Sequence, residues 1–128
     1  MTDGTTSDLS QYRIERANST LEEAALLAEK GFWAAATNRL YYACFYAASA
    51  LLLKHGKNFR RHSGLIAVFN TDFVRTGIVP VETGAVLSML FSHRQRADYD
   101  DLPQFDKEQV DNWRRQAHDF VSVLQNLL

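Results

Sequence analysis

At 128 residues, with 46% apolar and 23% charged side chains, the chain is long enough for one domain with a sizeable core, and its composition excludes a disordered or fibrous protein. Fourteen Lys and Arg against 15 Asp and Glu leave a formal charge of −1, which excludes a global field drawing the molecule onto nucleic acid or anionic membrane and leaves any polyanion contact to a local patch. The single cysteine, Cys44, cannot form an internal disulfide and, with four scattered histidines, makes no zinc-site pattern, so neither metal nor cofactor is expected and a reducing cytoplasm fits.

Residues 1–8 read as a flexible polar tail, part of a Met1–Ser10 stretch with no apolar segment of signal-peptide length, and residues 9–128 as one domain. Ile14, Ala17, Leu21, Ala24 and Ala28 recur every three or four residues and predict a first helix closed by Lys30 and Gly31. Trp33, Ala36, Leu40, Ala43, Ala47 and Ala50 keep that rhythm, while Tyr42, Phe45, Tyr46, Leu51 and Leu52 make the other sides apolar, as expected of a helix in the middle of a bundle. It should end at Lys54, His55 and Gly56. The alanine-rich seams predict close antiparallel packing of these two helices across a very short turn.

The basic loop Lys57 to His62 precedes a short helix marked by Ile66, Phe69 and Phe73, with Ser63 as candidate cap and an end near Gly77. Pro80 suits the first turn of a fourth helix, whose stripe is Leu87, Leu90, Arg94 and Ala97. Asp106 with Gln109 forms a capping-box pattern flanked by Phe105 and Val110, and Val110, Trp113, Ala117, Phe120, Leu124 and Leu127 run in phase after it. With no period-two alternation, no internal repeat and no stretch near the ~18 apolar residues of a membrane span, the expected fold is all-α, an antiparallel bundle of four to five helices.

Gly-rich phosphate loops, Cys-x-x-Cys, His-Glu-x-x-His and Gly-x-Ser-x-Gly are absent from the sequence. Attention falls instead on Ser92-His93-Arg94-Gln95-Arg96-Ala97-Asp98-Tyr99-Asp100-Asp101. Arg94 shares an apolar stripe, where a guanidinium needs a partner, a ligand or an interface. One reading is an ordinary Arg94–Asp98 ion pair worth about 0.3–0.5 kcal/mol. The order is against it, because the acid is better placed N-terminal to the base, and Asp98, Asp100 and Asp101 crowd the negative end of the helix. In the second helix Arg39, Tyr42, Tyr46 and Ser49 share a side next to Asn38. They read either as a buried network that sets helix register or as a polar pocket beside Arg94. The run from Lys57 to His62 reads as a solvated connection or as a guide for phosphates.

These segments, Asn38-Arg39-Leu40-Tyr41-Tyr42-Ala43-Cys44-Phe45, His62-Ser63-Gly64 followed by Phe69, Phe73 and Thr76-Gly77, and Arg94-Gln95-Arg96-Ala97-Asp98-Tyr99, resemble the HEPN superfamily (higher eukaryotes and prokaryotes nucleotide-binding) over roughly residues 10 to 127. The likeness is to the short stand-alone prokaryotic branch encoded beside minimal nucleotidyltransferases. It implies a homodimer with two copies of the fourth-helix motif near a shared cleft, and a toxin–antitoxin-type role with a separately encoded nucleotidyltransferase. Arg94, Asp98 and Tyr99 would be the working residues, with Tyr99 a candidate acceptor of nucleotide.

Many HEPN members are metal-independent ribonucleases with an Arg-x(4–6)-His motif, in which the arginine holds the scissile phosphate and the histidine assists the 2′-hydroxyl. This chain departs from that pattern. Counted from Arg94, the histidine positions hold Tyr99, Asp100 and Asp101; counted from Arg96, they hold Asp101, Leu102 and Pro103. Nucleotide or RNA contacts are expected from Asn38, Arg39, Tyr42, Arg61, His62 and Arg96. Two alternatives accompany the toxin–antitoxin reading. The first is a ribonuclease using Asp98 or His93 in place of the missing histidine. The second is a non-catalytic nucleotide-binding module whose pocket is lined by Asn38, Arg39, Tyr42 and Arg94.

Overall fold

An alanine every three or four residues lets neighbouring backbones approach on more than one side of a helix, and the second helix is built that way. The computed structural model describes residues 2–100 and 104–128, with side chains from residue 8 onward. Its helices are α1 (Thr2–Glu29), α2 (Trp33–Lys54), α3 (His62–Phe69), α4 (Val81–Tyr99) and α5 (Lys107–Asn126), with no strand among the described residues. The fold is an all-α bundle. Ala36, Leu40, Tyr41, Ala43, Cys44, Ala47, Ala48, Leu51 and Leu52 of α2 are buried, and α1, α3, α4 and α5 all pack against it.

Helices α1 and α2 stop in the same way. Gly31 and Gly56 adopt φ of 77° and 71°, and the next residue's N–H reaches back to the carbonyl of the third-last helical residue, Phe32 to Leu27 at 3.0 Å and Lys57 to Leu52 at 2.9 Å. A left-handed glycine lets two orphan carbonyls be satisfied in one turn, and this closes the α1–α2 hairpin within residues 30–32.

Helix α1 begins at Thr2. Two local expectations are corrected. The cap of α3 is Arg61 and not Ser63, because Leu65 N–H already bonds Arg61 O at 2.9 Å and Ser63 therefore lies in the first turn. Pro80 is likewise the residue before α4 and not in its first turn; its carbonyl accepts from Gly84 N–H at 2.9 Å. Beyond Phe69 the chain continues as a π turn, Asn70–Val74, with Arg75 N–H on Asn70 O at 2.9 Å. The wider turn keeps Phe73 buried beneath Phe69, with ring centroids 6.3 Å apart.

Gly84 lets α4 lie against that π turn. A Cβ there would meet Val74 Cγ2 at 2.5 Å and Cγ1 at 3.1 Å. Gly84→Ala should therefore cost about 1–3 kcal/mol from overpacking, read as a lower urea midpoint, and Val74→Ala in the same chain should recover part of it. The capping box forms as read from sequence: Asp106 accepts from Gln109 N–H at 2.8 Å, and Gln109 Oε1 accepts from Asp106 N–H at 3.1 Å. No helix among the described residues is long and apolar enough to cross a membrane, and no group of three metal-ligating side chains occurs among them.

Candidate functional site: the Arg94 cluster

Helix α4 carries Arg94 and Asp98 one turn apart, and the structure locks both to α2. Arg94 Nε lies 2.9 Å from Asp98 Oδ2 as an ion pair, yet its buried N–H is aligned on no acceptor among the described residues. The second guanidinium nitrogen, Nη2, donates to the Tyr42 hydroxyl at 3.3 Å. The cation also sits 5.7 and 5.5 Å from the ring centroids of Tyr41 and Tyr42. Asp98 in turn accepts from Asn38 Nδ2 at 3.3 and 3.4 Å, Asn38 Oδ1 accepts from Arg39 Nη2 at 3.3 Å, and Arg39 pairs with Glu23 at 3.3 Å. One polar chain thus ties α1, α2 and α4 together, and it holds the guanidinium and its carboxylate in a single orientation.

His62, at the start of α3, joins the same cluster. Its Nδ1 is 2.8 Å from the Tyr41 hydroxyl, and its ring stacks on Phe45 at 4.3 Å and meets Tyr42 edge-on at 5.6 Å. Burial pushes the Tyr41 phenol well above its ordinary range, so it stays protonated. Burial, then the Arg94 charge, lowers His62 below the usual histidine value and favours the neutral imidazole.

Of the residues singled out in the sequence, Asn38, Arg39, Tyr42, His62, Arg94 and Asp98 are brought together. Tyr99, Arg61 and Arg96 are not. Tyr99 is 75% exposed and stands roughly 140° round the helix from Arg94 at 100° per residue. Arg96 faces away from Arg94, over the Phe105 ring at 5.0 Å and 4.0 Å from Asp100. Arg61 is exposed beside His62. His93 lies flat on Trp113, 4.0 Å between centroids, so it is turned toward α5. Asp101, Leu102 and Pro103 lie outside the described residues. Sequence reading missed Tyr41 and Phe45 as the residues that join His62 to the site, because one aromatic in an apolar helix looks like another.

A cavity of about 280 Å³ opens beside Asn38 and Asp98, lined also by Arg39, Leu27, Ala34, Ala35 and Ala97. A larger groove of about 1150 Å³ runs between α1 and α5, away from Arg94.

The HEPN domain family matches residues 10–127, nearly the whole chain. This chain belongs to the HEPN family. A UPF0332 protein of Thermotoga maritima is 42% identical over 92% of this chain and 89% of the relative. Two proteins of Methanocaldococcus jannaschii, named "Putative toxin MJ0142" and "Putative toxin MJ0605", are 32% and 33% identical over 90% and 92% of this chain and 78% and 87% of their own lengths. Of the α4 residues Arg94, Asp98 and Tyr99 singled out in the sequence, the geometry joins the first two and separates the third.

A pH dependence of stability follows for this HEPN domain. His93 is held below the ordinary histidine value by burial first and Arg96 second, as His62 is by burial and Arg94. The unfolded chain therefore binds more protons between the folded values and about 6.5, and stability is present above that value and lost as pH falls through the lowered ones. Thermal unfolding at about pH 7.5 and pH 5 should show a lower midpoint in acid, with a smaller drop in the His62→Gln/His93→Gln double variant.

Proposed function

We propose that this HEPN protein is the toxin half of a toxin–antitoxin-type pair, working through a cleft that a second copy helps to form around Arg94, and controlled by a separately encoded minimal nucleotidyltransferase. The observation that carries this reading is the fixed guanidinium: Asp98 and Tyr42 hold Arg94 from two helices while its side chain keeps 19% of its surface open. A planar, preorganised cation suits a phosphate group. The relatives named as toxins support the polarity, and the lone, buried Cys44 suits the reducing cytoplasm.

Tyr99 fits the control step better than the chemistry at Arg94, because a side chain to be modified by another protein must be reachable, and it is 75% exposed. In that step the Tyr99 oxygen attacks the α-phosphorus of a nucleoside triphosphate, pyrophosphate leaves and the phenolic proton passes to solvent. The experiment is expression of the chain in a bacterial host, with and without the nucleotidyltransferase encoded beside its gene. Alone the chain should arrest growth. Together they should grow, and intact-mass measurement should show one added nucleotidyl group that Tyr99→Phe abolishes. Normal growth in both cases with unchanged mass overturns the proposal.

A further inference from the structure

We propose that the groove between α1 and α5 receives an amphipathic helix of a partner protein, its apolar stripe on the groove floor, with lysine or arginine along one edge and aspartate or glutamate along the other. The groove shares no residue with the Arg94 cluster, so this docking surface is independent of the chemistry assigned to that cluster.

Two stripes of equal length form its walls. On α1, Asn18, Glu22, Ala25 and Glu29 follow one another at spacings of four, three and four; on α5, Lys107, Asp111, Arg114 and His118 do the same. Side chains spaced in this way share one face of a helix. From residue 18 to residue 29, and from residue 107 to residue 118, each stripe runs about 16 Å, roughly three helical turns. The two helices meet at one end, where Asn18 Nδ2 donates to Gln125 Oε1 at 3.1 Å. The space left between the stripes is about 1150 Å³, larger than the roughly 300–1,000 Å³ of a pocket for a compact small molecule.

The floor of this space is apolar and its α1 side is built from small side chains. Leu21, Ala25 and Ala28 of α1 meet Trp33 and Leu40 of α2 there, and Leu21, Ala25 and Trp33 are half-buried, neither sealed in the core nor fully in water. Alanines at a seam let a further backbone approach closely. A helix with apolar anchors at spacings of three and four fits a floor of this length and composition.

The rims decide the charge of the occupant. Glu22 and Glu29 on the α1 rim, with Lys30 following them at the turn, have no ion-pair partner among the described residues. On the α5 rim Lys107 and Arg114 both pair with Asp111, at 2.6 and 3.5 Å, while Arg115 donates to Asn112 at 3.5 Å. Even with Asp119, cations outnumber carboxylates on that rim. No ion pair crosses from α1 to α5 among the described residues, so acid faces base over a gap that neither side chain spans. A helix lying in the gap satisfies both rims at once, with its cations toward Glu22 and Glu29 and its carboxylates toward Arg114 and Arg115. A nucleic acid, anionic along its length, meets Glu22 and Glu29 as like charges, and a protein helix is therefore the better fit.

The test uses the full chain and three fluorescent peptides of about 14 residues, each with leucines at spacings of three and four. One carries lysine on one edge and glutamate on the other, the second glutamate on both edges, the third lysine on both. Anisotropy at low salt should show saturable binding of the mixed peptide below about 1 mM, and about three- to tenfold weaker binding of the other two. Added salt should narrow that difference. Glu22→Lys/Glu29→Lys, at two exposed positions, should move the preference to the peptide with glutamate on both edges. Ala25→Trp fills the floor and should weaken the mixed peptide by about tenfold or more; should that variant fold poorly, the double charge reversal decides alone. Arg94→Ala should bind as wild type, so failure here leaves the toxin reading untouched, and absence of growth arrest leaves this surface untouched. No saturable binding, equal binding of the three peptides, an unmoved preference in the charge-reversed chain, or wild-type binding by a folded Ala25→Trp each overturns the proposal. Displacement of the mixed peptide by single-stranded RNA overturns it too, as does peptide binding that splits a dimer of the free chain, since the groove would then belong to nucleic acid or to a second copy.

Discussion

On the proposed toxin reading, Arg94→Ala is expected to abolish growth arrest by the free chain while the bundle stays folded. The guanidinium is the one group that touches both partners of the site, Asp98 at 2.9 Å and Tyr42 at 3.3 Å, and its remaining N–H groups are the donors available for a phosphate. Removing a preorganised donor from developing charge typically lowers a rate about 10²–10³-fold, enough to relieve a toxin at ordinary expression. The structural cost is small by comparison, because Asp98 keeps Asn38 as donor and its side chain is 30% open to water. Melting curves should stay within a few degrees of wild type. Arg94→Lys should be nearly as inactive, since an ammonium cannot present a planar pair of N–H groups. Full arrest by Arg94→Ala would remove the site from the protein's function.

The largest loss of stability is expected for Phe69→Ala, about 3–5 kcal/mol. Phe69 is fully buried where α3 meets the π turn, 5.7 Å from Phe120 of α5 and 6.3 Å from Phe73. Truncation leaves a cavity among rings that cannot collapse onto it. Against a total stability of order 5–15 kcal/mol for a domain, urea unfolding should show a much lower midpoint, and Phe69→Leu a milder one. The same change loosens α3, which carries His62, so in the folded fraction the contact with Tyr41 should weaken. Loss of protection at the His62 backbone in hydrogen exchange would report it. A midpoint within experimental error of wild type would show that the core does not depend on this ring.

Most of the fold was legible because helix signals are local. The three-four spacing, the glycines after Lys30 and His55 and the capping box at Asp106 each act within a turn or two, and each appears where the residues put it. Ser63 misled because a serine looks like a cap wherever it precedes an apolar run, whereas the helix start is set by which carbonyl accepts first, and that is Arg61.

The site divides along the same line. Arg94 with Asp98, and Asn38 with Arg39 and Tyr42, were visible because side chains three or four residues apart on one helix must share a face. That these two faces meet, through Asn38 and Asp98 at 3.3 Å, is a property of how α2 and α4 pack. His62 shows the limit most clearly. No spacing rule links it to Tyr41 or Arg94; it arrives because Gly56 turns the chain out of α2 and because Leu65 and Phe69 anchor α3 in the core. Sequence by itself determined the helices, their buried faces and the family, all encoded by contacts within a few residues. Only the tertiary structure decided that the histidine opening α3 shares the Tyr41 and Tyr42 rings with Arg94 and that Tyr99 faces water, because both depend on long-range packing that no local pattern records.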